Sequence, residues 1–189
     1  EQHRAYLADD ANFAFHSNHG FYQAAGQAAM AKRLAFMTGM DASYAQARAR
    51  VIAMIDQQFS SEGVHNEHSP DYHRMVVRTL QVLLKSGVLE DPEIAGRYEA
   101  CERSLAWFVF PDGQIVNFGD SDWRHLGGGV KQAKRAWLTD PMRWAVSAGA
   151  VGRPESEEHK VFRDSGYFVV RRRHDPITPS QDSYLAMMA

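Results

Sequence analysis

The residues best suited to chemistry lie in EGVHNEHSPDYHRMVVR, Glu62 to Arg78, where three histidines, several acids and a tyrosine share one loop and the start of one helix. Ser69 followed by Pro70 reads as an N-cap and a first helical residue, which puts Tyr72 in the first turn. A phenol there can give a proton or, as tyrosinate, take one. Because an ordinary tyrosine ionises near pH 10, the second use needs positive charge or hydrogen-bond donors close by, and His19 and His73 are the candidates. His65, Glu67, His68 and His73 are metal-ligand types, but His65-Asn66-Glu67-His68 is neither H-E-x-x-H nor H-x-x-E-H, and no metal is assigned to them. Glu67 and His73 fit better as hydrogen-bonding supports of the loop and the tyrosine. Asp120 and Asp122 in FGDSD are a possible acid pair, although acidic turn residues usually bond their own backbone. Trp107 and Trp123 offer ring faces to sugars, but aromatic residues of a helical protein are more often packed. The run Arg171, Arg172, Arg173 reads as a solvated face, with an anionic ligand as its other use. GGG at 127–129 lacks the lysine-serine pair of a phosphate loop.

These groups need helices to hold them. Tyr72, Met75 or Val76, Leu80 and Leu83 recur at helical spacing, so a buried stripe is expected to start at Tyr72 and run to the stop at Gly87. The stretch through about Phe15 reads as the tail of a helix and a loop. Ser17 or Asn18 then caps an alanine-rich helix to about Phe36, whose Ala24, Ala25, Ala28 and Ala29 allow close approach of a neighbour. A helix from near Asp41 places Tyr44, Ala47, Val51, Ile55 and Phe59 on one face and Arg48, Arg50 and Gln57 on the other. Asp91-Pro92 opens a further helix with Ile94, Tyr98, Cys101, Leu105 and Phe108 in register, and Asp140-Pro141 a shorter one. Such a series predicts a mainly α fold of antiparallel helical hairpins over residues 1–152. Pro111 to Gly129 is long for a bare connection. From about Lys160, VFRDSGYFVVRRR and, after the turn DPITPSQ, DSYLAMMA read as strands, so residues 160–189 are expected to begin an antiparallel sheet.

Bulk properties narrow the function. With 189 residues and a formal charge of −2, the chain can bury a sizeable core and has no basic excess to suggest nucleic acid. The single cysteine, Cys101, excludes an intramolecular disulfide. No apolar run has membrane-spanning length, so membrane insertion is not expected. The chain starts at Glu1 and ends on an apolar strand, and both ends are expected to be cut from a longer protein; absent targeting signals then carry no information.

Four motifs in order, SNHGF, EGVHNEHSPDYHR, PDGQIVNFGDSD and DSGYFVVR, resemble the heparinase II/III-like family of polysaccharide lyases from about residue 13 to residue 189. The resemblance implies an incomplete (α/α) toroid followed by an antiparallel β-sandwich, here truncated after its first strands. It implies β-elimination of a uronic-acid-containing acidic polysaccharide, without a cofactor, by a periplasmic or secreted enzyme. Eliminating across C4 and C5 of a uronate needs neutralisation of the carboxylate, a base at C5 and an acid at O4. Asn18 and His19 take the first role and Tyr72 matches the family's catalytic tyrosine. Gln23, Glu67, His73 and Asp120 are expected to bind substrate or support these groups. Family members draw a further histidine, and some a zinc site, from later strands; this chain stops before them and is expected to be inactive alone. Two other readings stand beside this one: a non-catalytic module binding acidic glycans, and a metal-dependent hydrolase built on the histidine loop. Which uronate polymer, endo or exo cleavage, and oligomeric state stay open.

Overall fold

Helices α1 (Gln2–Ala8), α2 (Asn18–Arg33), α3 (Met40–Gln58), α4 (Pro70–Lys85) and α5 (Pro92–Trp107) follow one another, with a shorter helix at Asp140–Val146, before strands β1 (His159–Phe162), β2 (Tyr167–Arg172) and β3 (Ser183–Met188). The computed structural model describes residues 2–126, 130, 131, 133, 139–172 and 183–189; the triple glycine at 127–129, Arg173 and the turn DPITPSQ lie outside the described residues. By contact the chain forms two compact units, Glu1–Gln58 with Arg78–Ala95, and Phe59–Val77 with Gly96–Ala189.

In the first unit α2 packs on α3 through small residues. Ala24, Ala25, Ala28 and Ala31 are buried, as are Ala47, Val51, Met54 and Ile55, while Ala29 is only half-buried. Arg50, expected on the polar face of α3, is instead buried. The first segment supplies the reason: the guanidinium bonds the carbonyls of Leu7 and Ala8 and the Asp10 carboxylate, reaches Gln27 Oε1 at 2.8 Å, and lies 4.4 Å from the centre of the Phe13 ring. Oxygens from residues 7–10 and from Gln27 thus replace water around the charge. Arg48 stays at the surface and pairs with Asp91 and Glu93.

The second unit is built on an aromatic core. Phe108 stacks on Phe162 at 5.5 Å and meets Tyr167 edge-on at 5.0 Å, with Val64, Trp107, Val116 and Val169 around them. Strands β1 and β2 form an antiparallel hairpin and β3 pairs antiparallel with β2, giving the order β1-β2-β3. VFRDSGYFVVRR is therefore two strands and a turn. Gly166, at φ +68°, lets the chain reverse. The turn docks on the loop before α4, because the Glu62 carboxylate accepts from the backbone N–H groups of Arg163 and Asp164 at 2.8 and 3.1 Å. Arg171 departs from the solvated reading. It is buried between the Trp144 and Tyr184 rings, 5.2 and 5.4 Å from their centres, and donates to the Val109 carbonyl. An inward position on β2 gives it aromatic faces and a carbonyl in place of water; Arg172 is exposed. No helix among the described residues is long and apolar enough to cross a membrane.

Candidate active site

The N-terminus of α4 forms as the Ser-Pro pair dictates. Ser69 Oγ accepts from the Tyr72 backbone N–H at 3.3 Å and donates to the Asp120 carbonyl at 3.1 Å. The same hydroxyl lies 2.9 Å from Ser121 Oγ, which accepts from the Asp71 N–H at 3.2 Å. One N-cap serine thereby ties the GDSD loop to the first turn of the helix. Gly119 makes the approach possible: at φ +55°, an added Cβ would lie 2.6 Å from the His68 carbonyl oxygen.

On this frame Tyr72 is half-exposed, and its hydroxyl donates to Asp120 Oδ2 at 2.5 Å. The hydrogen bond to Asp120, reinforced by the negative charge of that carboxylate, holds the phenol above the ordinary tyrosine range. The positive charge expected of His73 is not supplied to the phenol. His73 is buried and hydrogen-bonds the Cys101 carbonyl through Nε2 at 2.8 Å, so its ring faces the core and not the tyrosine. Burial pushes it down to about 3, and the ring is neutral at neutral pH. His73, not Tyr72, opens the buried stripe of α4, continued by Val76, Leu80 and Leu83. His65 is also buried, edge-on to Phe59 at 5.1 Å, and burial lowers it to about 4. Its Nδ1 accepts from the Glu67 N–H at 3.4 Å. Glu67 itself is exposed, and its charge adds to the upward push on Tyr72. His68 adopts φ +53° and sets its ring 5.6 Å from that of Tyr167. Among the described residues, no group of three or more His, Cys, Asp or Glu is arranged to hold a metal ion.

Three charged residues missed at the sequence level complete the cluster. Asp71 is nearly buried and accepts from Arg74 Nε at 2.8 Å and Arg124 Nε at 2.5 Å. Arg124 also reaches Asp122 at 3.2 Å. The only hint was position, Asp71 beside Tyr72 and Arg124 beside GDSDW; neither has a motif of its own. Trp123 is 68% exposed, whereas Trp107 is buried. With its amide turned to face its partners, Asn117 accepts from Trp123 Nε1 at 3.0 Å.

Asn18, His19 and Gln23 belong to the first unit. Ser17 is the N-cap of α2 without a side-chain cap bond, and Asn18 is the first helical residue, at the positive end of the helix dipole. Asn18 Oδ1 is buried without a hydrogen-bond partner, and His19 is exposed. Gly20 lets this turn close on the preceding loop, since a Cβ there would lie 2.3 Å from the Ala14 carbonyl oxygen. Gln23 holds that loop, accepting from the Ala14 N–H at 2.8 Å and donating to the Asn12 carbonyl at 2.9 Å. Both ends of its amide are thus engaged by backbone.

No family model matches the chain, and no curated protein sequence matches it. Solved structures do match. A mutant of the heparan sulfate lyase HepC from Pedobacter heparinus superposes with a TM-score of 0.82 at 16% identity, over 100% of this chain and 30% of that one. Heparinase III, the BT4657 gene product, gives 0.79 at 19% identity, over 95% and 29%. A further heparinase III structure gives 0.72 at 20% identity, over 93% and 29%. This chain spans less than a third of the length of these neighbours. It has the fold of the corresponding part of heparinase III and heparan sulfate lyase structures, the same family its four motifs resemble.

Proposed function

We propose that this chain is part of a polysaccharide lyase that cleaves a uronic-acid-containing acidic glycan by β-elimination. The observation that carries the reading is the likeness over the whole chain to a heparan sulfate lyase, with a TM-score of 0.82. Tyr72 supports it. Burial of the catalytic phenol is avoided, and it is kept protonated beside a carboxylate at the mouth of a helix. Asn18 and His19 take the uronate carboxylate, where negative charge grows as the C5 proton leaves, and the N-terminus of α2 favours that charge. Gln23 holds the loop before them, Asp120 holds Tyr72, His73 anchors the first turn of α4 to the Cys101 carbonyl, and Glu67 ties the preceding loop to His65. The helical segment 1–152 is then part of an (α/α) toroid and residues 160–189 the start of a β-sandwich, in a periplasmic or secreted protein.

Elimination and hydrolysis leave different products. Incubated with glucuronate-, iduronate- and mannuronate-containing polymers, the full-length protein is expected to release oligosaccharides ending in a 4,5-unsaturated uronate, seen as rising ultraviolet absorbance. New reducing ends without that absorbance would mean hydrolysis and would overturn the reading. Binding without any cleavage would make the protein a glycan-binding module instead.

A further inference from the structure

We propose that Asp120 is the proton-holding partner of Tyr72, a positioning residue that takes the phenol's proton while Tyr72 accepts the one from C5 and returns it when Tyr72 protonates O4. The inference rests on the lyase reading of Tyr72 and goes a step further, because that reading leaves open how a protonated phenol begins as a base.

Three observations lead to it. First, the Tyr72 hydroxyl donates to Asp120 Oδ2 at 2.5 Å, so its hydrogen lies toward Asp120 and the remaining lone pairs of Oη are left for a substrate. Secondly, the acids around Tyr72 are divided between different duties. Asp71 is held by Arg74 and Arg124, and Asp122 by Arg124, whereas Asp120 makes no ion pair among the described residues. Its charge is spent on the phenol. Thirdly, the backbone that carries the carboxylate is held: Ser69 Oγ donates to the Asp120 carbonyl at 3.1 Å, and Gly119 seats the loop against the His68 carbonyl. A carboxylate on a backbone anchored this way stays within reach of Oη.

The transfers balance without another reactant. The C5 proton moves to Tyr72 Oη as the proton of Oη moves to Asp120 Oδ2, and the C5–H electron pair builds into the enolate at the uronate carboxylate. That pair then forms the C4–C5 double bond while the C4–O4 bond breaks. O4 takes the new proton of Oη, and Asp120 gives its own back. Carboxylates as a class are weaker bases than phenolates by about six pKa units, so the first two shifts belong to one concerted event.

The test uses the full-length protein on a glycan it cleaves. Asp120→Asn keeps the size and an acceptor oxygen for Tyr72 but cannot hold the proton. Its kcat is expected to fall about 100-fold or more at neutral pH, with KM little changed, and to recover as pH rises toward 10 and the phenol ionises unaided. A merely structural role would not give alkaline recovery. A kcat within about threefold of wild type, or above it, would overturn the proposal. A second measurement needs no Asp120 variant: the Tyr72 titration, identified by its absence in Tyr72→Phe, should occur above the ordinary value of about 10. Ionisation at or below that value would overturn the proposal even if Asp120→Asn fails to fold. Full activity in Tyr72→Phe would remove the role of Tyr72 itself, a failure of the lyase reading that is recognisable without any change at Asp120.

Discussion

Tyr72 illustrates how far a residue can be read before its neighbours are seen. Ser-Pro placed it in the first helical turn, and there it stands. What its spacing could not reveal is which side of the helix it faces. Tyr72 and His73 are adjacent, and the periodic match of Tyr72 to Leu80 is as good by eye as that of His73 to Val76, Val77 and Leu80. Core packing chooses the imidazole, because its Nε2–H finds the Cys101 carbonyl and its ring finds Phe59 at 5.1 Å. The same choice leaves the phenol at the surface with Asp120. It also sets a pH dependence of stability. His65 and His73 are held neutral, at about 4 and about 3, while an unfolded chain binds protons at both below about pH 6.5. Folded-state pKa values are depressed, so the full contribution is present above pH 6.5 and is lost as pH falls toward 4 and 3. The loss is on the order of a few kcal/mol. Unfolding midpoints should therefore begin to drop near pH 6.5, above the range where carboxylates titrate. A midpoint flat from pH 7 to 5 would contradict this.

At the scale of elements, starts and stops were legible where a side chain or a glycine enforces them: Ser69-Pro70, Asp91-Pro92, Asp140-Pro141 and Gly87 all mark observed boundaries. Long-range burial of charge was not. Arg50 and Arg171 look like surface residues in any helical or strand pattern, and only the folded chain supplies the carbonyls and rings that accept them. The Pro111 to Gly129 stretch read as a long loop, and its role depends on a contact across sequence, Gly119 against His68. Gly119→Ala should consequently cost about 1–3 kcal/mol in denaturant unfolding, because the alanine is strained at φ +55° and its Cβ meets the carbonyl oxygen. Loss of the Asp120 bond should lower the Tyr72 phenol pKa in the same variant. An unchanged unfolding midpoint would show that the loop is not seated as described.

For the whole molecule, helices followed by an antiparallel sheet were foreseen from periodicity, while the resemblance to heparinase-like lyases came from four ordered motifs. The solved neighbours share that fold at 16–20% identity, a range in which the architecture persists although most side chains differ. Fold alone hosts more than one activity, so the proposed elimination is argued from Tyr72 and its setting. The most direct measurement is the rate of unsaturated-uronate formation by the full-length protein beside its Tyr72→Phe variant, on a panel of uronate-containing glycans. Removing one hydroxyl from a half-exposed ring should leave the fold intact and lower kcat by about 100-fold to 10,000-fold. Equal rates for the two proteins would contradict the account at its centre.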